Sequence, residues 1–268
     1  MHSFYLSMFS IILYLVSTVL LSLRMRGVER FQDGSKNLLL VPGLIALLIH
    51  LFVLYQQVFT PTGINMGFYS SLSLVSAFIT LFTITESARY PAEIVCMIMM
   101  PIAAAMLALD AANESTHMLP PDSSTALITH VMTSLLAYSV LGLAALYAIL
   151  LSVQNATLHA RQTGGILKLL PPLKTMETML FESISVGFLL LSVSLATGLM
   201  FLENMFAQQL VHKTVLSMLA WMVFGILLCG RMIVGWRGKT AIRWTLGGFI
   251  SLMLAYFGSK FVLEVILA

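Results

Sequence analysis

Charged side chains are scarce in this chain: Asp, Glu, Lys and Arg make up 9% of its 268 residues, where a soluble domain carries roughly 25%. That scarcity excludes a water-solvated surface. Cysteine is almost missing too. Its two copies, Cys96 and Cys229, form no Cys-x-x-Cys pair, which removes thiol-redox chemistry and covalent haem attachment by the chain itself. Both stand toward the basic-loop ends of apolar runs, where an exported disulfide is not expected. No nucleophile elbow, Walker loop or metalloprotease motif occurs, so nothing points to an enzyme that makes or breaks bonds. No polar stretch is long enough for a folded soluble domain. The chain therefore reads as one polytopic membrane domain over residues 1–268, with any chemistry inside the spans or at their rims.

What is abundant is apolar length, with hydrophobic residues at 59%. Eight runs, at residues 5–23, 38–59, 67–85, 90–108, 126–153, 180–202, 215–230 and 242–263, each approach the about 20 residues that cross about 30 Å of hydrocarbon. They predict an all-α integral membrane protein, a single bundle of eight transmembrane helices. The first run lacks a basic lead and a cleavage site, so it is expected to stay as an anchor.

Twelve of the fourteen Lys and Arg residues fall in alternate loops. Loop one holds Arg24, Arg26, Arg30 and Lys36, and loop three Arg89. Loop five holds Arg161, Lys168 and Lys174, and loop seven Arg231, Arg237, Lys239 and Arg243. Lys213 alone belongs to the other loops, so the positive-inside rule places both termini outside, N-out and C-out, in a plasma membrane. Topology accounts for the net charge of +3 without nucleic-acid binding. Loop five, with Gly164, Gly165, Pro171 and Pro172, separates five spans from three and reads as a turn followed by a helix start. No internal repeat is evident.

Against this background the imidazoles stand out. His50 lies twelve residues into an outward-running span, about 18 Å from its inner end. His130 lies four residues into an inward-running one, about 6 Å below the outer surface, and His212 marks the outer mouth of the seventh span. Ionisable groups inside spans are costly and face the bundle interior, which makes His50 and His130 site candidates. Paired neutral imidazoles are the axial ligands of a b-type haem, whose propionates need cations near the interface; Lys213 and Lys260 are the outer ones. Each residue also has a plainer reading. His50 could join helices by a hydrogen bond, His130 and His212 could be interfacial polar groups, and Lys260 could pair with Glu264 four residues on. A zinc or copper site is weaker, because no carboxylate or thiol lies at ligand spacing. Glu177 and Glu182 suit the first turns of the sixth helix, where acids favour the dipole.

The C-terminal half carries a resemblance. His212-Lys213-Thr214-Val215-Leu216-Ser217, Ala220-Trp221, Gly235-Trp236-Arg237-Gly238-Lys239-Thr240-Ala241, Gly247-Gly248-Phe249 and Ala255-Tyr256-Phe257-Gly258-Ser259-Lys260-Phe261 resemble the last three spans of the cytochrome c assembly protein family, which includes CcsA, CcmC and HemX-like membrane proteins. His130-Val131-Met132, Leu136-Ala137-Tyr138 and Leu143-Ala144-Ala145-Leu146-Tyr147 are similar to its histidine-bearing span. With Leu169-Leu170-Pro171-Pro172-Leu173, Met176-Glu177 and Phe181, the chain resembles the YpjD-like inner-membrane branch, clearly over about 126–264. The resemblance implies haem handling at the outer face of a bacterial inner membrane with histidines as ligands; His130 matches the family's external histidine, while His212 occupies an acidic-Lys position at the head of the penultimate span. Joined to the reading of the residues, this gives non-covalent haem b as the expected cofactor, His130 and His212 toward its iron, and His50, Lys213 and Lys260 as further contacts. The resemblance also implies a second reading, a HemX-like regulatory or scaffold subunit that docks another inner-membrane protein without haem. Better-known members carry a tryptophan-rich outer loop ending in Trp-Asp, whereas this chain has only Trp221, Trp236 and Trp244.

Overall fold

The computed structural model describes residues 2–28, 36–60, 63–113, 118–119, 125–160, 169–201, 211–258 and 261. Eight long helices among the described residues are long and apolar enough to cross a membrane. They are α1 (His2–Met25), α2 (Lys36–Val58), α3 (Phe68–Ser87), α4 (Glu93–Ala112), α5 (Thr125–His159), α6 (Leu173–Phe201), α7 (Val211–Ile233) and α8 (Gly238–Met253), the last extended by a π-helical turn, Leu254–Gly258. Each expected span is present. The differences are at the ends, where polar residues extend a helix that hydropathy alone would stop. Pro171 and Pro172 open α6 at Leu173, seven residues before its apolar run, because proline is at home just ahead of a helix's first turn. With 35 residues, α5 is about 52 Å long and outruns the hydrocarbon.

The chain forms two compact units, Met1–Pro121 with Leu169–Pro171, and Asp122–Lys168 with Pro172–Ala268. The main division falls in loop four and gives four helices to each unit, not the five and three that loop five separates; of loop five only Leu169–Pro171 count with the first unit.

In the first unit the helices pack in a ring, α1 against α2 and α4, and α3 against the same two. The burial pattern is that of helices in lipid. Leu38, Leu48, Phe52 and Tyr55 of α2 are exposed, while α3 buries Ser70, Ser73, Ser76, Thr80, Thr83 and Ser87 in one stripe. Apolar side chains gain nothing by leaving hydrocarbon, so small polar ones can fill the seam. Their hydroxyls are satisfied locally: Ser76, Thr80, Thr83 and Ser87 each donate to a carbonyl three or four residues back. Ser10 and Ser17 of α1 donate across to the Ala46 and Leu39 carbonyls of α2. Gly43 leaves room for the Met100 side chain, which reaches across from α4, and for the Ser17 hydroxyl of α1, since a Cβ there would lie 2.4 Å from the Met100 methyl and 3.0 Å from the hydroxyl.

This unit also contains a small antiparallel sheet, β1 (Phe59–Thr60), β2 (Gly63–Asn65) and β3 (Met118–Leu119), in that order, with Ile64 opposite both Phe59 and Leu119. It ties loop two to loop four. The all-helical expectation missed it because strands of two or three residues carry no readable period.

The second unit repeats the ring with different contacts, α5 against α6 and α8, and α7 against the same two. Gly187 lets α6 meet α5, for a Cβ there would sit 2.6 Å from Leu141. Glu177 acts differently from expectation. Its Oε1 accepts the Gly238 N–H at 3.0 Å, so it satisfies the start of α8 rather than its own helix. Glu182 stands in the third turn of α6, beyond the reach of the end dipole.

Candidate functional site

His130 sits in the second turn of α5, half-buried. Its Nδ1 lies 2.8 Å from the Ser194 carbonyl oxygen of α6. A carbonyl can only accept, so Nδ1 carries the proton and donates it, and Nε2 keeps its lone pair. Around this bond the two helices place hydroxyls. Ser134 and Ser194 hydroxyls are 2.6 Å apart, Ser134 also donates to the His130 carbonyl, and the Thr197 hydroxyl lies 3.5 Å from Nδ1 while donating to the Ser194 carbonyl. The imidazole is thereby fixed in tautomer and orientation. That is the outer support a metal-binding histidine needs.

About two turns further along α5, Tyr138 packs against Phe249 of α8 and Phe257 of the π-turn, at ring-centre distances of 5.3 and 5.0 Å, and against Tyr256 at 6.4 Å. On α6, Phe188 stacks on Trp221 of α7 at 5.5 Å, and the indole N–H donates to Ser192. All but Phe188 are motif residues, and the fold brings them together in one unit, with Tyr138 and Phe257 buried and Trp221 left exposed on its surface.

His50 is placed quite differently. It is fully buried in the first unit, with Nδ1 3.3 Å from the Tyr14 hydroxyl of α1 and Nε2 2.9 Å from the Ser73 hydroxyl of α3. Hydroxyls donate or accept, so either tautomer satisfies both nitrogens. The geometry supports the plainer reading of His50, a hydrogen-bonded join between helices, and neither nitrogen is left for a metal.

His212 is the second residue of α7. Phe181 meets Arg231 and Ser192 meets Trp221, so α6 and α7 run antiparallel, and His212 is level with the last turn of α6, about one turn beyond His130. Lys213 follows it, half-buried. Lys260 and Glu264, and any pairing between them, lie outside the described residues.

Sequence reasoning missed several partners: Ser194, Thr197 and Ser134 around His130, and Tyr14 and Ser73 around His50. It also missed Asp110, buried near the C-terminal end of α4, whose Oδ1 accepts from Ser70 at 2.8 Å. An acid within an apolar run was the available signal.

Comparison with known proteins places the fold. A model of the family described as cytochrome C assembly protein matches residues 38–267. The chain belongs to the cytochrome c assembly protein family. The inner membrane protein YpjD of Escherichia coli strain K12 is 30% identical over 261 residues, covering 96% of this chain and 98% of the relative. The cytochrome c biogenesis protein CcsA of a Prochlorococcus marinus strain is 24% identical over 258 residues, 86% of this chain and 84% of that one. A 28.8 kDa protein of Azospirillum brasilense is 31% identical over 140 residues, 52% of each. No solved structure matches. This cytochrome c assembly family member is a multi-pass inner-membrane protein. Its family match takes in α2 to α4 as well as the second unit, further toward the N-terminus than the motifs alone reach.

Proposed function

We propose that the protein handles haem b non-covalently in the outer, periplasmic half of its second unit, without catalysing a bond-forming step. The observation that carries this reading is the His130 Nδ1–H bond to the Ser194 carbonyl, which leaves the Nε2 lone pair for a metal. His130 would hold the iron from one side, and His212 at the head of α7 is the candidate for the other. Lys213 and Lys260 would answer the propionates, since an anionic group at an apolar rim is costly unless paired. When bound, haem would supply redox-capable iron or serve as cargo. The chain's own part is to orient His130 through Ser194 and to shield the ring plane with apolar and aromatic side chains such as Tyr138 and Phe257. The outer location rests on the distribution of loop cations.

The visible spectrum of detergent-purified protein tests the reading. A Soret band with split visible bands on reduction is expected, lost in His130→Ala and weakened when Lys213 and Lys260 are both replaced by Met. A triple His50, His130 and His212 to Ala variant that binds haem as well as the parent overturns it. A lysine double variant that keeps haem but fails to accumulate removes the rim contacts from the proposal. Protein that accumulates and binds no added haem leaves the second reading, a HemX-like scaffold that docks another membrane protein.

A further inference from the structure

The hairpin of α7 and α8 has no acidic residue between Val211 and Gly258, yet its turn end carries Arg231, Arg237, Lys239 and Arg243. Arg231 is used internally. Its guanidinium lies 4.5 Å from the centre of the Phe181 ring, and it donates to the Trp236 carbonyl at 3.3 Å. Arg237, Lys239 and Arg243 are exposed and have no hydrogen-bond or ion-pair partner among the described residues. Positive-inside topology explains their sign. It does not explain what lies beside them.

From Arg243 a groove runs along the hairpin, lined by Leu219 and Val223 of α7 and by Arg243, Trp244, Gly247 and Ser251 of α8. Arg243, Gly247 and Ser251 are spaced four apart, so they lie on one helix face and span about 12 Å from the rim into the apolar zone. Gly247 forms an open floor, since a Cβ added there meets nothing within 4 Å. Ser251 already donates to the Leu216 carbonyl, so its proton is not offered to a guest. Trp244 borders the groove and packs on Trp236 at 5.3 Å, an aromatic pair of the kind that sits at headgroup level. Lys239 stands one turn outward from Arg243. The groove therefore makes an anionic demand at one end and an apolar demand along the rest.

We propose that this groove is a binding site for an anionic phospholipid, with the phosphate at Arg243 and Lys239 and one acyl chain laid between Gly247 of α8 and the Leu219 and Val223 wall of α7. A free phosphate would leave the apolar walls uncovered, and a zwitterionic lipid would answer the two cations less well. The inference is independent of the haem reading.

The test uses the full chain purified in detergent, with phosphatidylglycerol or phosphatidylcholine of matched chains added and retained lipid counted by native mass spectrometry. Phosphatidylglycerol should be retained preferentially, and Arg243→Gln should reduce that preference about fivefold, with a further loss when Lys239→Gln is added. Gly247→Leu should reduce retention of both lipids by filling the floor. Leu219→Trp, at an exposed position, should do the same from the α7 wall, and it decides the matter if Gly247→Leu fails to accumulate. Equal retention of the two lipids by the parent, or an unchanged preference in the double Gln variant, overturns the proposal. So does a parent dimer that Gly247→Leu converts to monomer, which would show a second copy in the groove.

Discussion

His50 and His130 are the same side chain, each within a few turns of the end of a membrane span, and the two units treat them in opposite ways. In the first unit, helices on either side of α2 supply hydroxyls to both ring nitrogens of His50, and the ring is sealed. In the second, the Ser194 backbone takes one nitrogen of His130, and the other keeps its lone pair. The difference lies in the partner. A hydroxyl adapts to either tautomer, whereas a carbonyl dictates one. An imidazole in a membrane thus becomes glue or a potential ligand according to whether its neighbours can both donate and accept or only accept, not according to depth.

The sharpest way to break this comparison is to exchange the losses. His130→Ala is expected to abolish haem retention while leaving the spans inserted. His50→Ala is expected to leave the spectrum in place and cost about 2–4 kcal/mol, from a cavity and two stranded hydroxyls, read as lower thermal stability in detergent. A variant pair with the opposite outcomes would reverse the roles assigned here.

The units should also respond alike where they are built alike. Gly43→Leu and Gly187→Leu each force a side chain into space already filled, with the first carbon 2.4 Å from the Met100 methyl and 2.6 Å from Leu141. Each is expected to cost about 1–3 kcal/mol or more, measured as reduced accumulation and melting temperature. Indifference at Gly187 would show that α5 and α6 do not approach as closely there, and indifference at Gly43 that the Met100 side chain swings away.

A smaller effect separates the polar joins. Tyr14→Phe keeps the ring and removes one hydrogen bond to His50, an expected loss of about 1 kcal/mol. Glu177→Ala in the second unit should uncap α8 for about 0.5–2 kcal/mol, while Glu177→Gln, which still presents an acceptor to Gly238, should recover most of it. Thermal scans of the three variants in one detergent check this order.

The comparison also explains what could be read in advance. The eight spans were legible because hydrocarbon imposes a length and excludes charge, two demands that any stretch of sequence either meets or fails. Glu177 was legible as an acid near a helix end, but the end it serves belongs to α8, 61 residues away. The sheet linking loops two and four was invisible for want of length. His50 and His130 were legible as imidazoles in apolar runs, yet no spacing in the chain announces Ser73, Tyr14 or Ser194 as their partners.

The amino-acid sequence by itself determined the solvent, the number of spans, the loop-cation bias and, through its motifs, membership of the cytochrome c assembly family. Those properties are sums over local residues or short patterns. The tertiary structure alone decided which nitrogen of His130 keeps its lone pair, that both nitrogens of His50 are spent, and that Arg243 and Gly247 share a groove. Each of these depends on which helices become neighbours, and in lipid that choice rests on small residues and interhelical hydrogen bonds too sparse to leave a period in the chain.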